Sequence, residues 1–265
     1  MEPALLAASL GALVGLLLAL TGAGGGVLAV PLLVFGLGLP LRQAAPIGLL
    51  SVGLAAALGA VLGLRQGIVR YRAASLIGGI GMLLAPLGIS AAQHLPNRPL
   101  LAAFALVLAF VAVRTLRGVA ETMSGKAVPC HVDPADHRLT WTRPCARALA
   151  GTGALAGLLS GLLGVGGGFV IVPALKRYTE LDIRSIQATS LAVIALVSSS
   201  GIAAASWVGA LPWAVAWPFC GGAVLALALG RRLASRLHSR HLNQAFAWFN
   251  LVVATFLLAR SLGLG

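Results

Sequence analysis

Two glycine clusters are the residues best placed to do chemistry. Gly22-Ala-Gly24-Gly25-Gly26 and Gly164-Val-Gly166-Gly167-Gly168 each stand directly before a short apolar segment. A helix starting there leaves its first N–H groups without intrahelical partners. Its aligned peptide dipoles add partial positive charge at the same end. Glycine removes the side chains that would hold an anion away from those groups. The chemistry on offer is therefore anion binding by backbone N–H, which needs no cofactor. The same glycines could instead serve a tight turn and close helix packing. No Gly-Lys-Ser/Thr follows either cluster, so neither is a phosphate-binding loop, and a helix rather than a strand precedes each, so neither is a dinucleotide fingerprint.

Few polar residues could complete such a site. Thr189 and Ser190 are expected to begin the next helix beyond the short segment that follows the second cluster, where their hydroxyls could donate to an oxyanion or cap that helix. Ser51, Ser198, Ser199 and Ser200 could line a path or bond back to their own helix. Arg42 and Arg184 fall at helix starts, as interfacial anchors or as residues that draw anions to each entrance.

The elements that must position these residues come in two copies. Residues 4–116 and 146–258 match in register at an offset of 142, without a gap. Pro31 falls on Pro173, Arg42 on Arg184, Gly59 on Gly201, Gly67 on Gly209, Gly88 on Gly230 and Phe104 on Phe246. Thr189 and Ser190 fall on Ile47 and Gly48, so a hydroxyl contribution cannot be symmetric. The chain divides into a first repeat, 1–116, a polar linker, 117–145, and a second repeat, 146–265.

The chain is 59% hydrophobic and 9% charged, with a mean hydropathy of +0.97. A soluble domain of this size could not solvate such a surface, so the partner is a lipid bilayer. Five apolar segments are expected in each half: Ala4–Leu20, Val27–Leu39, Ala44–Leu64, Ala73–Ala92 and Leu100–Leu116, then Ala146–Leu162, Phe169–Leu175, Ile186–Ser206, Trp213–Leu229 and Leu242–Leu258. The second of each set is too short to cross a bilayer and the first is marginal. Each first pair therefore reads as a helical hairpin that dips into the membrane and turns at the glycines. The fold class expected is all-α, polytopic, with two inverted repeats of about five helical segments. Ala4–Leu20 does not resemble a cleaved signal, since its leading flank carries Glu2 and no basic residue.

The net charge of +13 does not mark a nucleic-acid partner, because the basic residues sit in short loops between apolar spans. Their distribution supports inversion. The loop with Arg65, Arg70 and Arg72 matches a loop at 207–214 with no basic residue, and Arg231, Arg232, Arg236 and Arg240 match Arg98 alone. With the rich loops inside, 16 of 19 basic residues are cytoplasmic and only Arg42, Arg98 and Arg260 lie outside. Both termini are then outside and the linker is cytoplasmic. None of the six acids (Glu2, Glu121, Asp133, Asp136, Glu180 and Asp182) falls in a span, which argues against a cation substrate.

Cys130, Cys145 and Cys220 are read as forming no framework, with Cys220 as core filler. A metal site from Cys130, His131, His137 and Cys145 would match no zinc spacing, so no metal is expected. The five histidines lie near loops and no paired carboxylates fall in the spans, so the chain is not read as an enzyme.

Gly164-Val-Gly166-Gly167-Gly168-x3-Val172-Pro173 followed by Ala188-Thr189-Ser190-Leu191 resembles the TauE/SafE sulfite exporter family, also called TSUP. Gly22-Ala-Gly24-Gly25-Gly26-x3-Val30-Pro31 is similar to that family's first repeat, but Pro46-Ile47-Gly48-Leu49 departs from the Thr-Ser-Leu of many members. The resemblance implies a bacterial inner-membrane protein that moves sulfite, sulfonates or related anions. The expectation is a transporter of small sulfur-containing oxyanions held at the two glycine breaks; the alternative is an anion-selective channel on the same scaffold.

Overall fold

Ten helices follow one another among the described residues, which are 3–21, 26–116, 129–131, 140–207, 209, 211–234 and 239–261 of a computed structural model. They are α1 (Pro3–Thr21), α2 (Ala29–Gly36), α3 (Leu41–Arg65), α4 (Tyr71–His94), α5 (Asn97–Leu116), α6 (Arg143–Leu163), α7 (Gly168–Tyr178), α8 (Ile183–Trp207), α9 (Trp213–Ala234) and α10 (Ser239–Ser261). Each expected apolar segment falls on one of them, with Val27–Leu39 running past both ends of α2. Helix is the form that satisfies every backbone group within one segment, as an apolar solvent requires. Five of the ten, α3, α4, α6, α8 and α9, are long and apolar enough to cross a membrane.

Helix α6 is longer than its apolar run suggested. Thr142 caps it by accepting from the Cys145 N–H at 3.3 Å, and Pro144 sits in its first turn, where a missing N–H costs nothing. The polar lead-in Arg143–Cys145 therefore joins the helix and brings it to 21 residues.

The packing repeats itself at the offset of 142. Gly11 and Gly15 of α1 press on the backbone of Phe219 and Ala223 in α9; Gly153 and Gly157 of α6 press in the same way on Ile77 and Gly81 in α4. Gly230 meets Leu16 as Gly88 meets Leu158. Each half thus lays its first helix along the fourth helix of the other. Small residues on both sides let the backbones touch. The two 25-residue helices, α3 and α8, lie side by side and run in opposite directions: Leu49 meets Gly201, Gly53 meets Ser198 and Gly63 meets Ala188.

Their contact is the centre of a core that includes Val30, Leu33, Ile47, Val52, Ile194 and Val197. The outer faces are apolar as well. Leu83 is 76% exposed, Leu225 67% and Trp217 66%, which suits contact with lipid chains.

One expectation fails here. Cys130 and Cys145 form a disulfide, so the cysteines do make a crosslink. The bond fits because α6 starts beside the end of α7. The Cys130 N–H donates to the Tyr178 carbonyl at 3.1 Å, and the Thr142 hydroxyl donates to the Pro129 carbonyl at 3.0 Å. His131 Nδ1 lies 3.0 Å from the Glu180 carboxylate on the same flank. His137 lies outside the described residues. Cys220 is free and buried within α9, as expected of filler.

Candidate functional site

The second glycine cluster ends α6 and starts α7. Gly164, Gly166 and Gly167 have φ of 72°, 74° and 70°, a region that L side chains avoid, so the turn requires glycine at all three. The Gly164 N–H closes α6 on the Ser160 carbonyl at 2.8 Å. Gly167 is the N-cap of α7 and has no side chain to offer; the Val170 and Ile171 N–H groups return to its carbonyl, at 3.0 and 3.2 Å. Helix geometry leaves the N–H groups of Gly168 and Phe169, ahead of them, without an intrahelical acceptor. Residues 163–169 are all buried, so this positive end faces the protein interior. Because α6 and α7 meet again at Cys130, the pair is a hairpin that leaves and returns at one end of the molecule.

The first cluster is described only at Gly26, with Gly22, Gly24 and Gly25 outside the described residues. Gly26 opens a 3₁₀ turn that runs into α2. A β-carbon on Gly26 would lie 2.9 Å from Val52 Cγ1 and 3.5 Å from the Val165 carbonyl oxygen. One on Gly166 would lie 3.0 Å from the same Val52 Cγ1 and 3.1 Å from Ile194 Cγ2. The two breaks therefore flank one valine. Val52 and Ile194 are each the twelfth of 25 residues in α3 and α8, and they match at the offset of 142. The breaks meet half way along the two central helices.

The hydroxyls are distributed differently from expectation. Helix α8 starts at Ile183, so Thr189 and Ser190 lie in its second turn and cap nothing. Asp182 caps it instead, accepting from the Ser185 N–H at 3.3 Å. Thr189 accepts from the Arg70 N–H at 3.0 Å and ties α8 to the start of α4. Ser190 and Ser198 stand one turn either side of Ile194, on the face that meets Gly166 and α3; both are 0% exposed and their Oγ atoms have no partner. Ser51 bonds back to the Gly48 carbonyl and Ser199 to that of Leu196, while Ser200 donates to the Met82 carbonyl in α4.

Ser160 went unnoticed in the sequence. It lies one turn beyond Ala156, whose carbonyl oxygen and β-carbon would stand 2.9 and 3.2 Å from a β-carbon on Gly167, and its hydroxyl is buried without a partner. A single serine within an apolar run carries no signal; only its burial against the hairpin singles it out.

Arg42 donates to the Leu95 carbonyl and lines a small crevice with Ala45, Pro46, Leu49, Gly161 and Leu162. Ala45 touches Gly164, so the crevice leads toward the second break. Arg184 is exposed at the start of α8. The described acids that bear on charge, Glu180 and Asp182, sit in the α7–α8 loop, away from the breaks. Asp182 has its carboxyl held below the usual value, first by the Ser185 hydroxyl and then by backbone N–H groups.

Residues 7–257 match the family described as "Sulfite exporter TauE/SafE". Two curated relatives, each described as "Probable membrane transporter protein", come from Xylella fastidiosa strains Temecula1 and 9a5c. Each is 34% identical over 258 residues, covering 95% of this chain and 93% of its own. No solved structure gives a significant match.

Proposed function

The chain belongs to the sulfite exporter TauE/SafE family of membrane transporters, and from that premise we propose that it moves small sulfur-containing oxyanions across the bacterial inner membrane, holding each anion at its glycine breaks. The observation behind this reading is the shared contact of Gly26 and Gly166 with Val52. Helix α3 is about 37 Å long at 1.5 Å per residue, enough to span a hydrocarbon core of about 30 Å, so its middle falls near the midplane. Two positive helix ends meeting there are suited to an anion that must shed its water. The site consists of Gly22, Gly24, Gly25 and Gly26, Gly164, Gly166, Gly167 and Gly168, and the Ser190 hydroxyl. Thr189 supports it from the α4 side. Arg42 and Arg184 mark the two entrances.

Two features support an inverted repeat of 1–116 and 146–265 about linker 117–145. The equivalent helices α3 and α8 run antiparallel, and the α1–α9 and α4–α6 contacts interchange under the offset. The distribution of basic residues supports a cytoplasmic linker with both termini outside.

Uptake of labelled sulfite and methanesulfonate into proteoliposomes tests the function. Saturable uptake at low unitary rate is expected, whereas measurable unitary currents would make the protein a channel. The site is tested by Gly26→Leu, which should abolish anion affinity while the protein stays folded in detergent. Unchanged affinity would remove the helix ends from the mechanism.

A further inference from the structure

Hydroxyls in apolar helices ordinarily bond back to a carbonyl three or four residues earlier. Ser51, Thr115, Thr152, Ser199 and Thr255 all do so here. Ser160, Ser190 and Ser198 do not: all three are 0% exposed and their Oγ atoms have no hydrogen-bond partner. A buried hydroxyl left in that state is destabilising, and native proteins keep few. The three border one region. Ser160 follows Ala156 along the face of α6 turned to Gly167; Ser190 and Ser198 flank Ile194, which reaches Gly166; and Ser198 lies against Gly53 of α3, its Cβ 2.6 Å from where that glycine's β-carbon would be.

The charge balance of this region is unusual for an anion site. The buried polar residues described are serines, threonines and one asparagine, with no Lys, Arg, His, Asp or Glu. Positive potential comes from the two helix ends, each worth about half a charge, together about one. One negative charge is matched by that sum. A second is met by no fully buried cationic side chain, Arg42 and Arg70 being only part-buried, and the cost of removing an ion from water grows as the square of its charge, about fourfold for a dianion.

We propose that the site admits singly charged oxyanions and excludes doubly charged ones, with Ser160, Ser190 and Ser198 as neutral donors that complete the shell around the anion. The proposal rests on the helix-end reading given above. For sulfite, which exchanges between hydrogensulfite and the dianion near neutral pH, the species bound is hydrogensulfite. The proton then crosses on the substrate and is released when hydrogensulfite dissociates on the far side. No intramembrane carboxylate is needed.

The test uses full-length protein in proteoliposomes with methanesulfonate (singly charged throughout), sulfite and sulfate. Above neutral pH the apparent KM for total sulfite should rise about tenfold per pH unit while that for methanesulfonate stays level. Sulfate should not compete. Competition by sulfate within about threefold of methanesulfonate, or a level KM for sulfite, overturns the proposal. Ser160→Ala and Ser198→Ala should each raise the KM for methanesulfonate about tenfold with an unchanged or higher melting temperature, because no protein partner is lost. An unchanged KM in both removes those hydroxyls from the shell. Failure of the two readings separates cleanly. Intact affinity in Gly26→Leu sinks the helix-end site, whereas lost affinity in that variant with sulfate carried as readily as methanesulfonate sinks only the charge selection. No binding of methanesulfonate at all overturns both.

Discussion

A β-carbon means different things at different glycines of the breaks. At Gly164 it would meet the Ala45 backbone, and φ is already 72°. Gly164→Ala should therefore lose roughly 1–2 kcal/mol from the backbone conformation before any clash is counted, and its main effect should be a lower melting temperature or loss of membrane-integrated protein. Gly26 is the opposite case: its φ is not positive, and only the Val52 side chain stands in the way. Gly26→Ala should fold and should weaken anion binding, as measured by ligand-induced stabilisation of the purified protein. Equal effects of both substitutions on stability and affinity would show that the two breaks do one structural job. Asp182 offers a control outside the site. Asp182→Ala removes the α8 cap and should cost about 1 kcal/mol of stability while leaving substantial transport. Its carboxyl titrates lower when folded, so the cap's contribution is present above the unfolded value and is lost as pH falls through the folded one. Thermal melting in the acid range should show that loss in the wild type and not in the variant.

Between helices, the interchange of equivalent contacts makes a paired prediction. Gly15 presses on the Ala223 backbone and Gly157 on the Gly81 backbone, at matching positions of the α1–α9 and α6–α4 contacts. Gly15→Val and Gly157→Val should both reduce the yield of folded protein severely, since backbone cannot move aside as a side chain can. A mild effect at one and collapse at the other would deny the two contacts equivalent weight. The helices themselves were legible in the sequence because apolar runs and the offset fix both their number and their register. The start of α6 was not, since Arg143–Cys145 is polar and joins the helix only through the Thr142 cap. The start of α8 was misjudged for the same reason, with Asp182 rather than Thr189 or Ser190 as its cap. Of the candidate site, the breaks could be read because glycine spacing is local. Ser160 could not, because what distinguishes it is a long-range fact, its burial against a hairpin it helps to form. The disulfide escaped notice too: a separation of 15 residues has no periodicity, and only the return of α7 beside α6 brings the two sulfurs together.

At the scale of the whole molecule, orientation is the testable property. Gln66, in the α3–α4 loop, and Trp207, at the end of α8, are both exposed and lie at opposite ends of the antiparallel pair α3 and α8. On a background without the three native cysteines, Gln66→Cys should react with an impermeant thiol reagent only from the cytoplasmic side and Trp207→Cys only from outside. Labelling of both from one side would replace the inverted repeat by a parallel one. The expectation rests on charge: with the repeats inverted, 16 of 19 basic residues would fall on one side.

The bond between Cys130 and Cys145 turns the linker into its own compartment gauge. Crosslinks of this kind persist where the surroundings are oxidising and are undone where glutathione and thioredoxin act. A linker in the cytoplasm should hold two free thiols in living cells and close the bond once membranes are broken in air. Acid quenching of intact cells, followed by a mass tag on free thiols, should add two tags beyond Cys220, and extraction without quenching should add none. Two missing tags in quenched cells would place the linker on the far side of the membrane, and every loop in the molecule would change sides with it.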